Sequence, residues 1–165
     1  MLNLSDKTFW QYSVSRYTTG DIAPLALLLQ DNHKVNVNVL LLVCWCLENN
    51  VIVNLSQLNS IIQATQPSER KLEQHRAKRK AARPDDDGDF ALYESLKKEE
   101  LELERQQQSA IVSAFNTLSL VSIPETSAPV TNVFNASIAA LINAYHLRDS
   151  HEARRLVSLL VKQLS

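Results

Sequence analysis

A polar segment from Gln30 to Asn38 holds the residues with the clearest capacity for chemistry. Asp31 and His33 are of the types used in general acid–base catalysis, because a carboxylate and an imidazole both exchange protons readily. If a pocket formed around them, Trp10 or Tyr17 would be able to stack on its ligand. These residues define one hypothesis, a small-molecule or catalytic pocket at Asp31 and His33.

The same segment has a structural explanation, which we favour over catalysis. The run that follows it, Val39–Leu47, is apolar on every side and predicts a central, buried helix. The first turn of such a helix leaves four N–H groups without partners, and Asn36 and Asn38 are suited to accept from them. His33 suits the negative end of the preceding helix dipole. Capping therefore accounts for the polar residues, and Trp45 within the run is predicted to be buried.

Other catalytic and cofactor signatures are missing from the sequence. It contains no GxSxG, HExxH or CxxC motif and no phosphate-binding glycine loop. Cys44 and Cys46 lie two positions apart, so on a helix they point about 200° away from each other and cannot bind one ion together. We predict no catalytic residue, no metal site and no cofactor.

A basic segment, Arg70–Arg83, is a candidate for binding nucleic acid through phosphate contacts. Seven of the 17 basic residues of the chain fall within it. The possible contact residues are Arg70, Arg76, Lys78, Arg79, Lys80 and Arg83. The segment has no aromatic side chain that would stack on bases.

A competing explanation comes from the acidic segment Asp85–Glu104, which contains nine of the 18 acidic residues. A turn at 85–88 would fold the acidic helix back onto the basic helix, so that the charges pair within the chain. We favour this charged hairpin over RNA binding. The expected neighbours are Arg79 with Glu94, Arg76 with Lys97, and Leu72 with Leu101.

Capping and periodicity signals predict an all-α fold of about seven helices around the central helix at about 37–49. Caps are expected at Ser5, Asp21, Asn36 and Asn54 (with Gln57), and at Asp149 (with Glu152). Pro67 is expected to end one helix and start the next. The predicted organisation is a helical domain over residues 1–118, which includes the charged hairpin 68–118, and a C-terminal helical hairpin at 132–165.

Residues 119–131 are predicted to be a linker, because they hold Pro124 and Pro129. The C-terminal hairpin has apolar stripes that two helices cannot bury alone. Either it packs on the core of the first segment, or it offers a groove or a dimer face. The sequence leaves both open, and it does not indicate an oligomeric state.

An ordered set of residues near the N-terminus resembles a known family. The motif runs FWxY, then LLQDxH, then VNxLLLxCW, and its members include Phe9, Trp10, Tyr17, Gln30, Asp31, His33, Asn38 and Trp45. It resembles a proteobacterial family that is described only as a domain of unknown function, over residues 8 to about 82. Lys34 stands near where the family has glycine, and Asn36 near where it has an acidic residue. The resemblance implies an all-α protein of unassigned activity.

The sequence as a whole predicts a cytoplasmic, non-enzymatic protein whose partner is another protein. The apolar run is too short for the about 20 residues that cross a bilayer, and no signal peptide is evident. The alternatives are RNA or ribonucleoprotein binding through the basic helix 70–83, and the pocket at Asp31 and His33.

Overall fold

The computed structural model describes residues 3–84, 89–123 and 130–164. Within them the chain forms seven helices and one pair of two-residue strands. The helices are α1 Asp6–Tyr17, α2 Ile22–His33, α3 Val37–Glu48, α4 Leu55–Ala81, α5 Phe90–Asn116, α6 Val130–Ala144 and α7 His151–Lys162. Strand β1 (Val51–Ile52) pairs antiparallel with β2 (Val121–Ser122). The prediction of an all-α fold is confirmed.

Three helices, α1, α3 and α4, begin at the side-chain caps that the sequence predicts. The side chains of Ser5 and Asn36 accept from the backbone N–H groups of Thr8 and Val39. Asn54 and Gln57 form the expected reciprocal capping box at the start of α4. These local bonds fix where the chain enters each helix.

Two predicted caps differ in the structure. Asp21 occupies the N-cap position of α2 but makes no side-chain capping bond. Helix α7 is capped by Ser150, whose hydroxyl accepts from Ala153 N, and not by Asp149. Serine and aspartate are both good caps, so which of two neighbouring residues takes the position depends on how the chain turns into the helix.

The central helix α3 contacts four other helices, α1, α2, α5 and α6. Nine of its 12 residues are buried, including Asn38, Cys44 and Cys46. Trp45 is half-buried and packs edge-on against Phe115 with the ring centroids 5.7 Å apart. Trp45 was predicted to be buried and is partly so, because an indole is large enough that part of it often reaches the surface.

Helix α4 continues without a break through Pro67, where two helices were predicted. Proline removes one N–H from the ladder of the helix, which usually kinks or ends it. Close to Pro67, the Thr65 hydroxyl donates to the Ile62 carbonyl and the Ser68 hydroxyl donates to the Thr65 carbonyl. Packing of α4 along α5 and α6 offsets the lost bond.

Helices α4 and α5 form an antiparallel hairpin, which is the most extensive helix pairing in the described chain. The charge partners within the hairpin differ from the predicted ones, since Arg79 pairs with Glu100 and Arg76 with Glu100 and Glu104. Leu72 is buried, whereas Leu101 is 50% exposed. The predicted turn at 85–88 lies outside the described residues.

Helices α6 and α7 pack on the same core as α3. Helix α6 contacts α3 and α4, and α7 contacts α2. Leu141, Leu156, Val157 and Leu160 are buried in this common core. Part of the predicted linker 119–131 lies outside the described residues, and its described part includes β2. Along the described ranges, none of the helices has the length and apolar character needed to cross a membrane.

Candidate functional site

A cleft of about 530 Å³ lies between helices α1 and α2 on one side and the α4–α5 hairpin on the other. The start of α3 forms its floor. We call this feature the cleft. Its apolar and aromatic lining residues are Trp10, Val14, Tyr17, Leu27, Val37, Leu41 and Leu101, and its polar and charged ones are Ser13, Thr18, Gln30, Asn38, Arg76, Arg79, Lys97, Glu100, Glu104 and Gln108.

The rim of the cleft is apolar and exposed to solvent. Val14, Leu27 and Leu101 line it from three different helices and are 49%, 43% and 50% exposed. Trp10 also lines the cleft, and the Arg105 guanidinium lies over its ring at 4.5 Å from the centroid. Exposed apolar side chains that converge on one concavity are typical of binding surfaces.

A chain of buried side-chain amides crosses the floor of the cleft, and its first member is fixed by the backbone. Val39 N donates to Asn36 Oδ1 at 3.0 Å, so the Asn36 nitrogen must point the other way. That nitrogen donates to Glu69 Oε2 at 2.7 Å and to Gln107 Oε1 at 3.1 Å. A carboxylate only accepts, so both ends of Asn36 are assigned without ambiguity.

The orientation of Asn36 sets that of the next three amides. Gln107 accepts through Oε1, so its nitrogen donates to Glu69 Oε2 and to Ser68 Oγ at 3.0 and 3.1 Å. Asn38 Nδ2 also donates to Gln107 Oε1, at 2.9 Å. Asn38 Oδ1 then accepts from Gln108 Nε2 at 3.1 Å. We call Asn36, Gln107, Asn38 and Gln108 the amide relay.

The amide relay ends in an acceptor that the described part of the chain leaves without a hydrogen-bond partner, Gln108 Oε1. Gln108 is 3% exposed, and its nitrogen is occupied by Asn38 and by Ser13 Oγ at 2.9 Å. Gln108, Asn38 and Ser13 all line the cleft. Because leaving a buried acceptor unsatisfied costs about 1–3 kcal/mol, this atom, which we call the open acceptor, is a candidate ligand contact.

Charged residues of the hairpin form the wall beside the open acceptor. Arg76 lies 3.3 Å from Glu69, 3.5 Å from Glu100 and 3.9 Å from Glu104, and Arg79 Nε lies 2.6 Å from Glu100. Burial raises the pKa of Glu104, and the Arg76 guanidinium only partly opposes that effect. The Glu104 carboxylate is therefore the least well compensated of the three.

A second cavity, of about 420 Å³, lies on the other side of Arg76. Asp31, Asn36, Glu69 and Tyr145 are among its lining residues. Burial raises the pKa of the Tyr145 hydroxyl, so the phenol stays protonated at neutral pH. Arg76 and Gln30 line both cavities, and the amide relay passes between them.

Comparison with known families identifies a match over residues 8–111 to the family described as "Protein of unknown function (DUF2390)". The matched segment covers more than half of the chain. The chain belongs to the DUF2390 family. No match was found among curated proteins or among solved structures.

The DUF2390 match contains α1 to α4 and most of α5, so it includes all residues of the cleft and of the amide relay. The family description assigns no activity. Among the residues described in this DUF2390 chain, no group of three or more His, Cys, Asp or Glu side chains is placed to hold a metal ion.

The structure separates the residues that the sequence suggested as an acid–base pair in this DUF2390 chain. Asp31 lines the second cavity, whereas His33 Nε2 lies 3.6 Å from Glu152 Oε2 on α7. Asn36 acts as the predicted cap, and it joins Asn38 in the amide relay. Of the remaining motif residues, Trp10, Tyr17 and Gln30 line the cleft, Phe9 is fully buried and Trp45 packs on Phe115.

The basic residues of α4 fall into two groups. Arg76 and Arg79 point into the hairpin and pair with its glutamates. The exposed group consists of Arg70, Lys71, Lys78 and Lys80, and Arg83 just beyond the helix is exposed as well. The basic segment therefore leaves part of its charge in contact with solvent and uses part to hold the hairpin together.

Sequence reasoning missed the residues at the centre of the site, which are Ser13, Glu69, Glu104, Gln107 and Gln108. A signal for the last two existed. Gln107 and Gln108 precede Ile111, Val112 and Phe115 at the three- and four-residue spacing of one helix face. The apolar stripe of α5 therefore continues as a polar one into the core, and that continuation predicts buried amides.

Proposed function

We propose that this protein is a non-enzymatic interaction module of the cytoplasm that binds a segment of a partner protein in the cleft. The observation that carries the proposal is the combination of an exposed apolar rim and a buried open acceptor in one cleft. Val14, Leu27 and Leu101 provide the rim, and Gln108 provides the acceptor.

A polypeptide segment matches both features of the cleft. Its apolar side chains would cover the rim residues, and burial of apolar surface contributes about 25 cal/mol per Å². Its N–H groups or polar side chains would donate to the open acceptor. A volume of about 530 Å³ accommodates a few side chains, so the segment would place anchors in the cleft and continue along its rim.

Two features favour a protein partner over RNA. Arg76 and Arg79 are held in ion pairs with Glu69, Glu100 and Glu104, so their charge is not available to phosphates without breaking those pairs. The acidic residues of α5 lie beside the remaining basic residues and repel a polyanion. RNA binding through Arg70, Lys78, Lys80 and Arg83 is the second candidate, because these four side chains are exposed.

A site-specific photocrosslinking experiment tests the proposal. A benzophenone amino acid is placed at Leu27, at Leu101 or, as a control, at Leu92, which is equally exposed (49%) on α5 but does not line the cleft. After irradiation in native cytoplasmic extract, with and without nuclease, crosslinked proteins are identified by mass spectrometry. We expect one protein to be crosslinked from both cleft positions and not from Leu92.

The captured protein is then purified and its affinity measured. Leu27→Ser and Leu101→Ser should each weaken binding, whereas Leu92→Ser should leave the dissociation constant unchanged. The proposal is contradicted if the same protein is crosslinked equally from Leu92, or if neither Leu27→Ser nor Leu101→Ser changes the dissociation constant. Crosslinks to RNA that disappear with nuclease, and binding that falls about 10³-fold or more between 50 and 200 mM salt, would support the RNA candidate instead.

A further inference from the structure

Two acceptors lie one helical turn apart on the face of α5 that lines the cleft. They are the Glu104 carboxylate and the open acceptor of Gln108, four residues later. Positions four apart are neighbours on a helix surface, so the two side chains lie next to each other on one face of α5. The directions of the amide relay exclude a rotation of the Gln108 amide, because its nitrogen already faces Asn38 Oδ1. A ligand group that binds both the Glu104 carboxylate and the Gln108 oxygen must therefore be a hydrogen-bond donor.

The charges around this pair indicate the kind of donor. Arg76 and Arg79 face three carboxylates, those of Glu69, Glu100 and Glu104. Lys97 also lines the cleft, and it is paired with Glu94 at 3.7 Å. Glu100 is contacted by both arginines, and Glu69 by Arg76 and two amides. Among the described residues, Glu104 makes one ion pair, with Arg76 at 3.9 Å. The three carboxylates therefore outnumber the two arginines that contact them by one, beside an open acceptor.

We infer that Glu104 and Gln108 recognise a cationic side chain, the ammonium of a lysine or the guanidinium of an arginine, presented by the partner segment that occupies the cleft. This inference rests on the proposed function and names the chemistry of its partner. Both cations are donors only, so they satisfy the carboxylate and the amide oxygen together. Trp10 and Tyr17 supply apolar wall surface for the methylene stem of such a side chain.

A consequence for pH follows from the groups that face Glu104. These are Arg76, Arg79 and Glu69 on α4, Glu100 on α5 and Tyr17 on α1. Burial keeps the pKa of Glu104 above its ordinary value in the free protein, and a bound cation favours the ionised form. Binding of a cationic segment therefore weakens as the pH falls through the titration of Glu104, while binding of a neutral segment does not.

Selection from a random peptide library displayed on phage tests the inference, with the full-length protein as the target. Parallel selections use the wild-type protein, Glu104→Gln, and Glu102→Gln as the control, because Glu102 is exposed on the same helix and does not line the cleft. We expect lysine or arginine at one position of the wild-type and Glu102→Gln binders, and loss of that preference with Glu104→Gln. Thermal unfolding of each variant confirms that it is folded.

Affinities of a selected peptide and its lysine-to-norleucine analogue complete the test. Norleucine keeps the stem and lacks the charge, so on the wild-type protein it should bind about tenfold more weakly. On Glu104→Gln the two peptides should bind alike, and only the lysine peptide should lose affinity at acid pH. A peptide that binds the cleft, is weakened by Leu27→Ser and prefers no cation overturns this inference and leaves the proposed function standing.

Two further outcomes would contradict the proposed function or the assignment of the site to a partner side chain. Failure to select any peptide whose binding depends on Leu27 contradicts the proposed function, and this inference with it. Cadaverine, a diamine without peptide groups, is titrated alone as a probe for free amines. If it binds the wild-type protein as tightly as the lysine peptide does, the site takes small amines, and its assignment to a partner side chain is wrong.

Discussion

Asn36 and Glu69, which are 33 positions apart in the sequence, are joined by a hydrogen bond of 2.7 Å from Nδ2 to Oε2. The same Asn36 side chain caps α3 through its oxygen. One residue therefore starts the central helix and also ties it to the middle of α4. This double use gives a test that separates a cap from a link between helices.

Asn36→Asp should lower the free energy of unfolding by about 1–3 kcal/mol, although aspartate is a good cap. The substitution keeps the acceptor for Val39 N and replaces the donor to Glu69 with a second carboxylate oxygen. Asn54→Asp is the matched control, because Asn54 caps α4 at an exposed position. Urea denaturation measures both, and an equal loss for the two variants would show that the link to Glu69 contributes nothing.

Gln107→Leu should be destabilising by at least about 1–3 kcal/mol, since it removes the oxygen that accepts from Asn36 and Asn38 and the nitrogen that donates to Glu69. Gln106→Leu changes the neighbouring residue, which is exposed, and should stay within about 0.5 kcal/mol of the wild type. Chemical denaturation again gives both values. Similar changes in the free energy of unfolding for Gln107→Leu and Gln106→Leu would show that the amide relay does not stabilise the fold.

Glu104→Gln should raise the stability of the free protein at neutral pH. Because burial raises the folded-state pKa of Glu104 above its unfolded value, the folded protein holds this proton more tightly, and stability falls as the pH rises between the two pKa values. The gain from glutamine should therefore be present above that window and vanish below it. Denaturation midpoints at several pH values, with Glu102→Gln as the control, measure this. A gain that is the same at all pH values would rule out the titration of Glu104 as its source.

Cys44 and Cys46 should be unreactive in the folded protein. Both thiols are buried in α3, and burial raises the pKa of Cys44 to about 12 and that of Cys46 further still, so the reactive thiolate is scarce at pH 8. Ellman's reagent should react negligibly with the native protein and with both thiols in denaturant. Rapid reaction under native conditions would show that α3 opens readily.

Arg79→Ala should destabilise the protein more than Lys78→Ala does. Arg79 is paired with Glu100, and its loss leaves a largely buried carboxylate with one fewer partner, whereas Lys78 is exposed. In an RNA filter-binding assay the order of the two variants should reverse, with Lys78→Ala losing more RNA retention, because only the exposed lysine is available to phosphates.

If the acidic helix masks the basic one, replacing Glu94, Glu99, Glu100, Glu102 and Glu104 with glutamine should strengthen RNA retention. Unchanged retention would exclude masking.

Local sequence determined the helices of this protein and most of their starting points. Ser5, Asn36 and the Asn54–Gln57 box could be predicted, because a cap bonds to a backbone group only three positions away. The buried helix α3 followed from a run of apolar residues with no polar face. Such features depend on neighbouring residues alone, so they can be predicted from the sequence without knowledge of the fold.

The tertiary structure decided what the helices do together. Gln107 and Gln108 meet Asn36, Asn38 and Ser13 across separations of 69 to 95 positions, and the register of α4 on α5 sets which glutamates reach Arg76. Continuation of α4 through Pro67 and the partial exposure of Trp45 likewise depend on which elements pack nearby. A buried amide becomes favourable only when its partners arrive from other helices, so the cleft and its open acceptor could be found only once the chain had folded.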